Sequence, residues 1–174
     1  ALAVGMSLFA IYSAIQPVTT QILRSVHVAF LLAICFLYYP IAKKFKGKIN
    51  IFDVFLCLLG MACIIYMLVD FEDFIYRAVT PELWDMIFGI LFIVLILEAT
   101  RRTSGLIMPI TCIIFLIYAY VGPWLPAPWT HRGYDVERII GHMYMTLEGI
   151  FGVPIAVSST IIIMFCIFGA FLGA

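Results

Sequence analysis

Apolar residues in this chain come in long unbroken runs, without the alternation of a half-buried strand or the one-sided stripe of a soluble helix. Six runs stand out. The first covers roughly 1–19 and closes on Gln16-Pro17-Val18-Thr19-Thr20; the second goes from His27 to Ala42, with Pro40 near its end. The third extends from Ile51 to Val69, and the fourth from just after Thr80-Pro81 to about Thr100. The fifth covers Thr103 to Val121 and is stopped by Gly122-Pro123, and the last occupies about 150–174 with Pro154 early. A helix rises 1.5 Å per residue, so about 20 apolar residues cross the roughly 30 Å hydrocarbon layer. Runs of this length predict spanning helices, and nothing in the pattern predicts a barrel. Thr80-Pro81 reads as a helix cap followed by proline at the first helical position.

One stretch is different in kind. Trp124-Leu125-Pro126-Ala127-Pro128-Trp129 is too rich in proline for a helix, and its tryptophans suit the membrane interface. After it, residues 134–147 place apolar side chains at 136, 139, 140, 143 and 144, one face of a helix, with Asp135, Glu137, Arg138 and His142 on the remainder. That spacing predicts an amphipathic helix in the outer interface. The expected fold is therefore an all-α, polytopic membrane protein with about six membrane segments plus one interfacial helix.

Charge adds an orientation. All four lysines fall in Lys43-Lys44-Phe45-Lys46-Gly47-Lys48, and Arg101-Arg102 follow two crossings later. Short basic loops stay cytoplasmic, so both clusters are expected on the cytoplasmic side, with the chain starting there too. The acidic loop Asp70-Phe71-Glu72-Asp73 between them is expected outside, together with Arg24, Arg132 and Arg138 as exceptions to the bias.

Composition agrees. The chain is 65% hydrophobic and 11% charged over 174 residues, against about 45–50% and about 25% in soluble domains. Net charge is zero, which argues against nucleic acid as a partner and leaves the lipid bilayer as the main environment. Cys35, Cys57, Cys63, Cys112 and Cys166 stand singly in apolar runs and read as small core residues, with neither metal-ligand nor disulfide spacing. No HExxH, GxSxG, P-loop or GxGxxG is present, so no catalytic residue or metal ligand is assigned and no enzyme is expected.

Ionisable groups near hydrocarbon carry a functional question by default. Asp53 is expected to stay near headgroups and pair with a lysine. Asp85, in the first turn of the fourth segment, suits the positive end of the helix dipole. Glu98 precedes Arg101 and Arg102 by three and four residues, the spacing of ion pairs on one helix face. Glu148 has two open readings. It is a helix-start carboxylate, or it marks a broken helix lining a pathway, since Gly149-Ile150-Phe151-Gly152-Val153-Pro154 interrupts the last span. Ser158, Ser159 and Thr160 are equally open between a pathway and helix packing.

Several stretches together resemble a known family. They are Leu97-Glu98-Ala99-Thr100-Arg101-Arg102-Thr103-Ser104-Gly105 with Met108-Pro109-Ile110; Tyr118-Ala119-Tyr120-Val121-Gly122-Pro123-Trp124-Leu125-Pro126; and His131-Arg132-Gly133-Tyr134 with Glu137-Arg138. Glu148-Gly149-Ile150-Phe151-Gly152-Val153-Pro154, followed by Phe168-Gly169-Ala170-Phe171-Leu172, is the most telling. The chain resembles the fused permease of tripartite ATP-independent periplasmic (TRAP) transporters, of the TAXI subtype. The resemblance implies a small four-helix membrane domain at 1–100 and the start of a large transport domain at 101–174, truncated. It also implies sodium as coupling ion, with no cofactor in this portion, and an extracytoplasmic solute-binding protein plus the rest of the large domain as partners. The substrate class it implies is organic carboxylates, taken up across a prokaryotic inner membrane. Glu98, Arg101 and Arg102 would then lie at an inter-domain junction, and Glu148 with Ser158 to Thr160 are the weak pathway candidates. The rival expectation is a membrane scaffold or assembly subunit that transports nothing; an intramembrane enzyme is a third.

Overall fold

A computed structural model describes residues 2–40, 51–69 and 71–173. The Lys43–Lys48 loop and Asp70 lie outside the described residues, so the expected cytoplasmic loop is not among the features seen. Every regular element among the described residues is helical: α1 (Leu2–Ile15), α2 (Thr20–Tyr38), α3 (Ile51–Val69), α4 (Phe71–Tyr76), α5 (Leu83–Ser104), α6 (Ile107–Val121), α7 (Val136–Ile140), α8 (Val153–Val157) and α9 (Ile163–Leu172). Wider π turns extend α7 over Gly141–Met145 and join α8 to α9 over Ser158–Ile162. Five helices are long and apolar enough to cross a membrane, the last being the composite Val153–Leu172; α1 is apolar but only 14 residues long. The chain is a multi-pass helical membrane protein.

Two boundaries differ from expectation for clear reasons. α2 starts at Thr20, seven residues before His27. The polar residues Gln21 and Ser25, which precede the expected start, are buried against protein, as is His27. α5 is capped by Glu82 rather than by Thr80-Pro81. The Glu82 side chain accepts from the Asp85 backbone while the Asp85 carboxylate accepts from the Glu82 N–H at 3.0 Å, a reciprocal capping box.

Three helices make the centre. On α2, Val28, Leu32 and Phe36 recur every four residues and face Cys63, Ile64 and Met67 of α3 and Phe92 and Leu95 of α5. α1 lies on α2, α6 lies on α5, and α9 returns against α1. Tyr144, Met145 and Phe151 join this buried cluster, so side chains from both sides of residue 100 share one core.

The helix expected on the membrane surface is placed otherwise at its end. Its first residue, Val136, stays exposed, but Tyr144, two turns on along the same face, is fully buried and its hydroxyl donates to the Cys63 carbonyl at 2.6 Å. Cys63 lies six residues before the end of α3, about 9 Å down its axis at the helical rise. Tyr144 packs edge-on to Phe74 and tilted against Phe92, each at 5.3 Å between centroids, and Phe92 stacks on Phe151 at 5.6 Å. Aromatic packing of this kind adds to plain burial and draws the helix end inward. Gly141 permits the approach, because a Cβ there would collide with the backbone carbonyl of Ala78.

A candidate site at a discontinuous helix

Two helical stretches, 136–145 and 153–172, are interrupted at Thr146–Gly152, where the backbone loses its regular ladder. A break inside a membrane protein must be satisfied by protein groups. Part of the work is local: Thr146 Oγ1 donates to the His142 carbonyl at 2.7 Å, Ile150 N–H to the Met143 carbonyl at 2.9 Å, and Gly152 N–H to the Gly149 carbonyl at 3.1 Å.

The rest comes from α2. Gln21, Arg24 and His27 follow one another at three-residue steps, which puts them on one side of the helix. Gln21 Nε2 donates to the Met145 carbonyl at 3.4 Å. One Arg24 nitrogen, Nη1, donates to the carbonyls of Phe151 at 2.8 Å and Leu147 at 3.4 Å. His27 Nε2 meets Ser158 Oγ at 3.0 Å, at the first residue of the second π turn. Successive α2 residues thus meet successive parts of the broken helix, and the two run side by side in the same direction.

The electrostatics follow from the geometry. Two carbonyl dipoles converge on one guanidinium, and no carboxylate pairs with Arg24 among the described residues. Its Nε is also buried without a partner among the described residues. In a low-dielectric setting a cation held only by carbonyls is bound tightly to them, and it repels a second cation from the same oxygens. The break is therefore a pinned structure, with the Leu147 and Phe151 carbonyls already satisfied by a fixed cationic donor.

Gly149 is the tightest point. A Cβ there would meet the His142 and Met143 backbone, which cannot swing away as a side chain could. Gly149→Ala is expected to destabilise the protein by about 1–3 kcal/mol by overpacking the turn, read as a lower midpoint of thermal unfolding in detergent. A midpoint unchanged from the parent would mean that the turn opens freely.

The sequence candidates are only partly brought together. Ser158 joins the seam through His27. Ser159 is buried but donates to the Ala156 carbonyl of its own helix at 3.1 Å, and the exposed Thr160 does the same at 2.7 Å. Glu148 is exposed; the bond at that residue is from its N–H to Thr146 Oγ1 at 3.3 Å. Gln21, Arg24 and His27, which carry the seam, are not among the site residues expected from the sequence, which places Gln21 and Arg24 before the second segment and His27 at its start. Their three-residue spacing next to an apolar run was the available signal.

A second cluster ties the opposite ends of α2, α3 and α5. Glu98 receives Arg101 at 2.7 Å through both oxygens and Arg102 at 2.8 Å, as the spacing predicted. Arg102 reaches further, to the Asp53 carboxylate at 2.7 Å and the Tyr39 carbonyl at 3.0 Å, with the Phe36 ring 5.0 Å from its guanidinium carbon. Among the described residues Asp53 thus pairs with Arg102; the lysines expected beside it lie outside the described residues. Asp53 is also buried, at 2% exposure, instead of sitting among headgroups. A third cluster was not foreseen at all. Asp85 is fully buried, accepts from the Tyr66 hydroxyl at 2.7 Å, and lies 3.2 Å from Arg77, so it locks the α4–α5 connection beyond any dipole role. No cluster of metal-ligating side chains occurs among the described residues.

Comparison with family models, with curated proteins and with solved structures finds no match for this chain.

Proposed function

We propose that this chain is a membrane permease component of a sodium-coupled, binding-protein-dependent secondary transporter that takes up organic carboxylates across a prokaryotic inner membrane. The observation that carries the reading is the discontinuous helix 136–172, whose break is held by Arg24 and whose second half engages His27 through Ser158. Transporters use broken helices because they free backbone groups and allow one segment to move against a fixed neighbour. The two π turns fit the same use, since such turns concentrate at functional sites. The sequence resemblance to TRAP permeases supplies the sodium coupling, the solute-binding protein and the substrate class.

Proteoliposomes carrying the permease and its solute-binding protein test the proposal. An inward sodium gradient should drive accumulation of a labelled carboxylate, and replacing sodium by potassium should abolish it. Binding protein captured by the membrane without sodium-dependent accumulation would instead indicate the scaffold role.

A further inference from the structure

A cavity of about 630 Å³ lies between α5, α6 and α7, on the side of α7 turned away from the Arg24 seam. Its walls are hydrocarbon: Ile93 and Leu97 from α5, Phe115 and Leu116 from α6. Phe115 is 67% exposed, so the slot is reached from the surface that two spanning helices present to the bilayer. At one end the lining changes character, with Arg138 and His142 side by side on α7 and its π turn.

Arg138 makes no ion pair among the described residues; its guanidinium rests over the Tyr134 ring at 5.7 Å. None of the neighbouring carboxylates Asp135, Glu137 and Glu148 lines the cavity. The slot thus joins an apolar channel to a cation and an imidazole, with no carboxylate among its described lining residues.

We propose that this slot is a binding site for one anionic phospholipid, its phosphate at Arg138 and His142 and one acyl chain along Ile93, Leu97, Phe115 and Leu116. The charge decides the occupant. An aqueous carboxylate would leave its hydration for a hydrocarbon wall, whereas a phospholipid presents an anion and a chain in the order the slot does. Basic pockets between spanning helices hold lipid headgroups in this manner. The volume falls within the roughly 300–1,000 Å³ of small-molecule sites. An occupied slot would brace α7, and hence the first half of the broken helix, against α5 and α6.

The test is native mass spectrometry of the detergent-purified protein, equilibrated with phosphatidylglycerol or phosphatidylcholine bearing the same chains. One phosphatidylglycerol per protein should be retained in preference to phosphatidylcholine. Arg138→Gln should weaken that retention about fivefold, the worth of about 1 kcal/mol for one basic residue at a lipid surface. Arg132→Gln, in a separate shallow depression of the outer loop, should leave it unchanged. Leu116→Trp should fill the channel and abolish retention. Should that variant fail to fold, photoreactive phosphatidylglycerol on the parent protein must label Phe115 or Leu116. Equal retention of both lipids, indifference to Arg138→Gln, or labelling confined to other surfaces would overturn the proposal. So would a second copy of the chain occupying the slot, detected as a dimer that excludes lipid.

Discussion

Arg102→Ala is expected to lower the free energy of unfolding in detergent micelles by about 3–5 kcal/mol, the scale for removing one partner of a buried ion pair. The Arg102 and Asp53 side chains are 1% and 3% exposed, so truncation leaves a carboxylate in a place that water barely reaches. The loss is more than one bond. Arg102 gathers Asp53 of α3, Tyr39 and Phe36 at the end of α2, and Glu98 of its own helix, and so it fixes three helix ends at once. Removing the charge from both partners should be far milder than removing one. The pair Asp53→Asn with Arg102→Met should recover most of the loss, because neither remaining group is then a desolvated ion. A double-mutant cycle with a coupling energy under about 0.5 kcal/mol would show that the two charges do not hold each other. Glu98→Gln should cost less, since its other contact, Arg101, is 37% exposed and such pairs are worth about 0–1 kcal/mol.

The second large effect concerns Arg24. Arg24→Ala strips the donor from the carbonyls of Leu147 and Phe151 and should destabilise the protein by about 2–3 kcal/mol, the cost of leaving buried acceptors unsatisfied. Hydrogen exchange should localise the damage. Amides of 146–152 should lose protection while those in the middle of α3 and α5 keep theirs, which separates a broken pin from general unfolding. Arg24→Lys tests the chemistry of the pin. An ammonium keeps the charge but bridges two separated carbonyls less well than a planar guanidinium, so stability should return only in part. In the transport assay both variants should slow uptake, with Lys the milder of the two. Full protection of 146–152 in Arg24→Ala would mean that the break is held by its own turn.

How far the sequence reached can be judged residue by residue. Uninterrupted apolar runs place α3, α5 and α6 closely, because an apolar helix in lipid depends mainly on length and on closing its own hydrogen bonds. Glu98 with Arg101 and Arg102 was legible for the same reason: partners three and four residues apart are fixed by the helix itself. The interruption at Gly149 to Pro154 was also visible, since glycine and proline act on the backbone wherever they stand. The amphipathic face of 136–144 was read correctly, but what it packs on was not.

What escaped depends on partners 49 to 127 residues away in the chain. The three-residue spacing of Gln21 and Arg24 marks a helix face but not what it meets; only docking of 145–151 against α2 turns them into donors for the interrupted segment. Tyr144 could have rested at an interface until α3 offered the Cys63 carbonyl. Asp53 chose Arg102 because the close packing of α3 with α5 leaves a buried carboxylate one described cation within reach. The sequence by itself determined that the membrane segments are apolar helices and roughly where they lie, with five of the described helices rather than six long enough to cross, since lipid imposes apolar character on each segment separately. The tertiary structure alone decided which polar groups are buried and what they hold, because a buried charge or carbonyl is satisfied only by the neighbour that folding brings to it.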